Sequence, residues 1–137
     1  MTSETTELTL PSNIESVAAA ATAVAEFVNR AGVDENAAFG IDMAVREAVT
    51  NAVLHGNKEN ESKAVDLTLK SSPDAVEISV HDQGPGFNPD NVPDPTKDEN
   101  ILKTSGRGIF FMRTFMDEVD WSVRPEGGTT VRMLKRR

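Results

Sequence analysis

The sequence predicts an α+β fold, a two-layer sandwich with helices on one face of a mixed, mostly antiparallel sheet. Three observations lead there. Between residues 14 and 55 apolar side chains recur at helical spacing, whereas Val65-Leu67-Leu69 and Val76-Ile78-Val80 alternate with polar residues as half-buried strands do. Helices come first and strands follow, which suits a layered α+β domain better than alternating βαβ units. The length of 137 residues fits a single domain over 1–137.

Each element follows from local chemistry. Leu8 and Leu10 flank Thr9 before Pro11, giving a short strand that proline ends. Ser12 or Asn13 caps an Ala-rich helix over Ile14 to Arg30, whose apolar stripe is Val17, Ala20/Ala21, Val24, Phe27 and Val28, and Gly32 closes it. Asp34 caps a second helix, from about Glu35 to His55, with Ala37, Ile41, Ala44/Val45, Ala48 and Ala52 inward and Gly56-Asn57 behind. The turn Ser71-Ser72-Pro73-Asp74 joins the two alternating strands. From Gln83 to about Ser105 four prolines, two glycines and many polar residues exclude regular structure, and a stretch of that length reads as a functional lid or a disordered insertion. Gly106-Arg107-Gly108 opens a helix to about Met116. Strands near Val119–Val123 and Thr130–Leu134 then flank the turn Pro125-Glu126-Gly127-Gly128.

Composition narrows the function classes. There are 14 Lys+Arg against 22 Asp+Glu, a net charge of −8, which repels nucleic-acid backbones and anionic lipid. Arg132, Lys135, Arg136 and Arg137 crowd the C-terminal end as a candidate partner contact. The absence of cysteine removes disulfides, thiolate metal sites and cysteine nucleophiles. Neither a secretory leader nor a membrane span is visible, so the expected location is the cytoplasm.

Four clusters can carry chemistry. Glu47, Asn51 and His55 recur every four residues, each step turning a helix by only about 40°, so they line one stripe beside the apolar face. His81-Asp82-Gln83-Gly84-Pro85-Gly86-Phe87 follows a strand, where the glycines allow a flat ligand to approach and the Asp82 carboxylate can accept from an amino group. Ser105-Gly106-Arg107-Gly108 begins a helix and exposes unpaired N–H groups to an anion. Gly127-Gly128-Thr129-Thr130 enters the last strand. Taken singly, each also describes an ordinary helix face, turn, helix start or hairpin. No P-loop and no His-x-Glu or paired-cysteine zinc pattern is present.

In this order the four clusters resemble the GHKL ATPase superfamily of histidine-kinase-like ATP-binding domains. The segments Glu47-Ala48-Val49-Thr50-Asn51-Ala52-Val53-Leu54-His55-Gly56 and Phe115-Met116-Asp117-Glu118-Val119 look most like its bacterial branch of anti-sigma-factor serine kinases, and the likeness spans about Leu8 to Leu134. The resemblance implies ATP and Mg²⁺, with Asn51 ligating the ion and Glu47 as the general base. It assigns Asp82 to the adenine amino group, Gly84 and Gly86 to the purine face, and Thr129 to the remaining adenine contacts. Gly106, Arg107 and Gly108 become the phosphate-contacting end of an ATP lid at about 88–105, and the role of His55 stays open. The partners it implies are a sigma factor and a STAS-type anti-anti-sigma protein bearing the acceptor serine, with a homodimer as the working unit. One position departs: the branch usually places arginine two residues before the first lid-end glycine, where this chain has Thr104. A nucleotide-sensing interaction module without kinase activity is therefore the alternative, and a plain adaptor without nucleotide the third reading.

Overall fold

The computed structural model describes residues 3–56, 63–83, 112–123 and 128–136. Strand β1 (Glu4–Pro11) leads into helices α1 (Glu15–Arg30) and α2 (Glu35–Asn51), and α2 runs on into a π-helical turn over Ala52–Gly56. Strands β2 (Ala64–Ser71), β3 (Ala75–His81), β4 (Glu118–Val123) and β5 (Thr129–Arg136) complete a five-stranded sheet in the order β1-β2-β3-β5-β4. Every pairing among them is antiparallel. The last strand lies inside the sheet, with β4 at one edge and β1 at the other.

The helix ends show why the chain turns where it does. Asn13 accepts the Ser16 N–H at 3.1 Å through its side chain, and the Ser16 hydroxyl donates to the Pro11 carbonyl at 2.6 Å, fixing α1 to the end of β1. At the other end Gly32 takes φ +73°, its N–H donating to Asn29 O at 3.2 Å and that of Val33 to Val28 O at 3.1 Å. Those two bonds form a Schellman closure, and a left-handed residue there favours glycine. Two residues later the Asp34 side chain accepts the Ala37 N–H at 3.0 Å and caps α2.

The core lies between the helices and one face of the sheet. Alternation buries Val65, Leu67 and Leu69 of β2, Val76, Ile78 and Val80 of β3, and Val131 and Met133 of β5. Phe27 of α1, with Ile41, Val45 and Val49 of α2, covers them in one hydrophobic cluster. Met112 and Met116, from the segment containing the helical residues 112–115, join that cluster. Gly40 admits this segment against α2, since a Cβ on it would lie 3.3 Å from Phe115 Cβ.

The opposite sheet face is polar and carries a charge ladder. Arg132 bonds Glu77 and Asp120, the latter at 2.9 Å, and Arg136 bonds Glu118. The hydrogen bond with Glu77, followed by the charges of Glu77, Asp120 and Glu118, raises the Arg132 pKa against the opposing effect of burial.

Two elements differ most in extent from the sequence reading, and the last strand also runs on to Arg136 rather than ending near Leu134. The first strand is longer because Glu4 to Pro11 pair in full with Ser71 to Ala64, a tertiary contact that periodicity does not encode. The second helix is regular only to Asn51, not to His55. The Ala52 N–H reaches both Ala48 O and Val49 O, where the wider π turn begins. Ala48, Ala52 and Val53 are apolar whichever width the turn takes, so apolar periodicity did not reveal it. Residues 84–105 and the helix start at Gly106 lie outside the described residues.

Candidate nucleotide site

Asp82 stands one residue beyond β3, and Thr129 is the first residue of β5. Because β3 and β5 pair with His81 opposite Thr130, the register sets Asp82 beside Thr129. Two hydrogen bonds lock them: Asp82 N–H donates to Thr129 O at 2.9 Å, and Thr129 N–H donates to Asp82 Oδ1 at 3.3 Å. Both are buried, Asp82 at 8% exposure and Thr129 at 5%. Among the described residues the Thr129 Oγ1 is buried with no hydrogen-bond partner. A buried hydroxyl of that kind costs stability unless something supplies the missing bond.

Neighbouring groups hold this corner rigid. Gly128 takes φ +99°, and a Cβ on it would stand 2.4 Å from the Asp82 carbonyl oxygen and 2.9 Å from His81 Cε1. His81 Nδ1 and Thr130 Oγ1 share a 2.9 Å hydrogen bond on the polar face. Gln83 accepts the Ala64 N–H through Oε1 at 2.6 Å and so ties the residue after Asp82 to the start of β2. The sequence reading named Gln83 and Gly128 within their clusters but assigned neither the tie to Ala64 nor the close packing at Gly128. The doubled glycine at 127–128 was the only available signal, and it also fits a simple hairpin.

Glu47 and Asn51 come from the other layer. They occupy the last five residues of α2, both half-buried on the stripe beside the buried row of Ala44, Val45, Ala48 and Val49. The π turn follows directly, so His55 is reached through a wider turn rather than a regular i+8 step, and its side chain lies outside the described set. Short π segments recur at functional sites because they re-aim the residues around them.

A buried carboxylate, an orphaned hydroxyl and a corner without a Cβ suit the flat, amino-bearing edge of a purine. Among the described residues no cluster of three or more His, Cys, Asp or Glu could hold a metal ion. The Asn51 amide oxygen fits a hard cation that draws its remaining ligands from phosphates and water. Of the residues named from the sequence, Asp82 and Thr129 are brought into contact and Glu47 and Asn51 share one stripe. Gly84, Gly86, Gly106, Arg107 and Gly108, with Thr104 and the lid at 88–105, lie outside the described residues.

The layered α+β fold, two helices against a five-stranded antiparallel sheet, is that of a class of domains that comparison with known proteins identifies. Residues 10–135 match the family model of the histidine kinase-like ATPase domain, and the chain belongs to that family. Among curated proteins it is similar to the serine-protein kinase RsbW of Staphylococcus aureus, at 32% identity over 94% of this chain and 84% of that protein. The RsbW of Staphylococcus epidermidis is 35% identical over the same shares. Among solved structures it resembles a Mycobacterium tuberculosis chain containing RsbU and RsbW domains, with a TM-score of 0.68 at 19% identity. That alignment covers 97% of this chain and 32% of the other, so this chain spans about a third of its length. Among the described residues no helix is long and apolar enough to cross a membrane.

Proposed function

We propose that this chain is an ATP-dependent protein serine kinase that acts as an anti-sigma factor. In one state it binds a sigma factor; in another it phosphorylates a serine on a STAS-type anti-anti-sigma partner, as a cytoplasmic homodimer. The Thr129 hydroxyl, without a partner among the described residues and beside Asp82, is the observation that supports nucleotide binding, because an adenine edge supplies such a partner. Relatives bearing the name serine-protein kinase support the transfer chemistry.

The residues divide the work. Asp82 accepts the adenine amino group and Thr129 completes the base contacts, directly or through water. Gly84 and Gly86 leave room for the purine, and the N–H groups around Gly106, Arg107 and Gly108 meet the polyphosphate. Asn51 holds Mg²⁺ through its side-chain oxygen; once bound, the ion neutralises charge on the phosphates. Glu47, one helical turn earlier, takes the proton of the attacking serine hydroxyl as its oxygen bonds to the γ-phosphorus and ADP leaves.

The test compares two variants. Glu47→Ala retains ATP binding by calorimetry and loses phosphate transfer to the STAS-type partner, whereas Asp82→Asn weakens ATP binding itself. Full activity of both in a γ-phosphate transfer assay sinks the assignment. Thr104 at the usual arginine position favours a second reading, a nucleotide-sensing module without kinase activity. Tight Mg–ATP binding by wild type, with no transfer to any STAS-type protein, selects that reading instead.

A further inference from the structure

An unexplained apolar patch lies on α2. Phe39 is 61% exposed and Met43 37% exposed, although both belong to a helix whose other large apolar side chains are buried. Phe115 meets Phe39 edge-on, with ring centroids 6.1 Å apart and planes at 85°, and close approach at Gly40 holds it there. The Asp42–Arg46 ion pair, at 3.0 Å, borders the patch on the same helix. A preformed apolar surface rimmed by charge marks a protein contact.

Its place relative to Glu47 identifies the occupant. Phe39, Met43 and Glu47 are spaced four residues apart, so Met43 precedes Glu47 by about 6 Å along the axis and Phe39 by about 12 Å, each step turning about 40°. A serine hydroxyl must come within about 3 Å of the Glu47 carboxylate to lose its proton there. A protein that delivers it through a standard interface of roughly 800 Å² per partner covers a radius of about 16 Å around the contact. Both apolar side chains fall inside that footprint.

We infer that Phe39 and Met43, backed by Phe115, form the docking anchor for the acceptor protein, which places an apolar side chain on them as its serine reaches Glu47. This rests on the kinase reading and extends it to the residues that select the protein substrate. An exposed aromatic supplies an anchor with few rotatable bonds, and methionine adapts its shape to the partner.

The experiment measures transfer to the STAS-type protein that wild type phosphorylates, using Phe39→Ser, Met43→Ser and the conservative Phe39→Leu. The serine variants raise KM for the acceptor about tenfold while the Kd for Mg–ATP stays at the wild-type value, and Phe39→Leu restores most of the loss. An unchanged acceptor KM overturns the inference and leaves the kinase reading standing, and a parallel loss of ATP affinity overturns it as a mere structural effect. Sedimentation showing that Phe39→Ser dissociates the protein into monomers overturns it too, because the patch then joins two copies of this chain. If wild type phosphorylates no STAS-type protein, the kinase reading fails and the docking inference falls with it.

Discussion

Thr129 keeps a hydroxyl in the interior for which its own chain offers no bond among the described residues. Leaving such a group unsatisfied costs about 1–3 kcal/mol. Thr129→Val removes the hydroxyl and keeps the shape, so the ligand-free protein gains roughly 1 kcal/mol in urea unfolding while its ATP affinity in calorimetry falls about tenfold. Equal affinity in the two proteins would show that the hydroxyl has no part in binding. Gly128 has no such latitude, with φ +99° and the Asp82 carbonyl 2.4 Å from where a Cβ would stand. Gly128→Ala therefore destabilises the fold by about 1–3 kcal/mol through backbone strain, and the displaced Asp82 weakens ATP binding in the same sample. Unchanged urea unfolding would refute the close approach at this corner.

At the scale of elements, the inner strands carry more of the stability than the edges. Leu67 of β2 is fully buried between its neighbours and the helices, whereas Leu8, its partner across the β1–β2 pairing, is only partly covered. Leu67→Ala costs about 2–5 kcal/mol, and Leu8→Ala less than half of that, as read from urea midpoints at equal slope. Comparable losses would mean that the edge strand is packed as tightly as the centre. Elements of this kind were legible in the sequence because burial on one face imposes a period, two for Val65-Leu67-Leu69 and near 3.6 for the stripes of α1 and α2. The full length of β1 was not, since Thr5, Thr6 and Glu7 owe their strand conformation to pairing with Lys70, Leu69 and Thr68 far along the chain. The π turn after Asn51 stayed hidden for a related reason: Ala48, Ala52 and Val53 are apolar in either helical form. Among the site residues, Glu47, Asn51, Asp82 and Thr129 stood in clusters legible from spacing and motif and took their roles from family resemblance, but nothing in their spacing alone predicted the mutual hydrogen bonds of Asp82 and Thr129. Phe39 lies off the apolar stripe of α2, and a single aromatic outside that stripe carries no signal of its own until its exposure is known.

For the molecule as a whole, binding and stability are one measurement. A ligand held by the folded state alone, at a hundred times its Kd, adds about 2.7 kcal/mol to unfolding. For a domain of this size that lifts Tm by roughly 10 °C. Mg–ATP at that excess should produce the shift in a thermal melt of wild type, and the same nucleotide concentration should move Asp82→Asn far less. An equal rise in both proteins would place the nucleotide away from β3 and β5. The net charge of −8 sets a second global property. Like-charge repulsion opposes nonspecific contact with the phosphate backbone of nucleic acid.

The alignment of β5 on β3 carries a consequence for error and for change. Thr129, Val131 and Met133 share one face, so slipping β5 by a single residue would turn the buried Thr129 hydroxyl and two core side chains toward water together. A misthreaded copy could not persist as an intact but inactive protein; it would expose its interior and become a substrate for degradation. Correct formation of the Asp82–Thr129 corner is thereby tied to burial of the core, and a substitution that disturbs the strand alignment disturbs both at once.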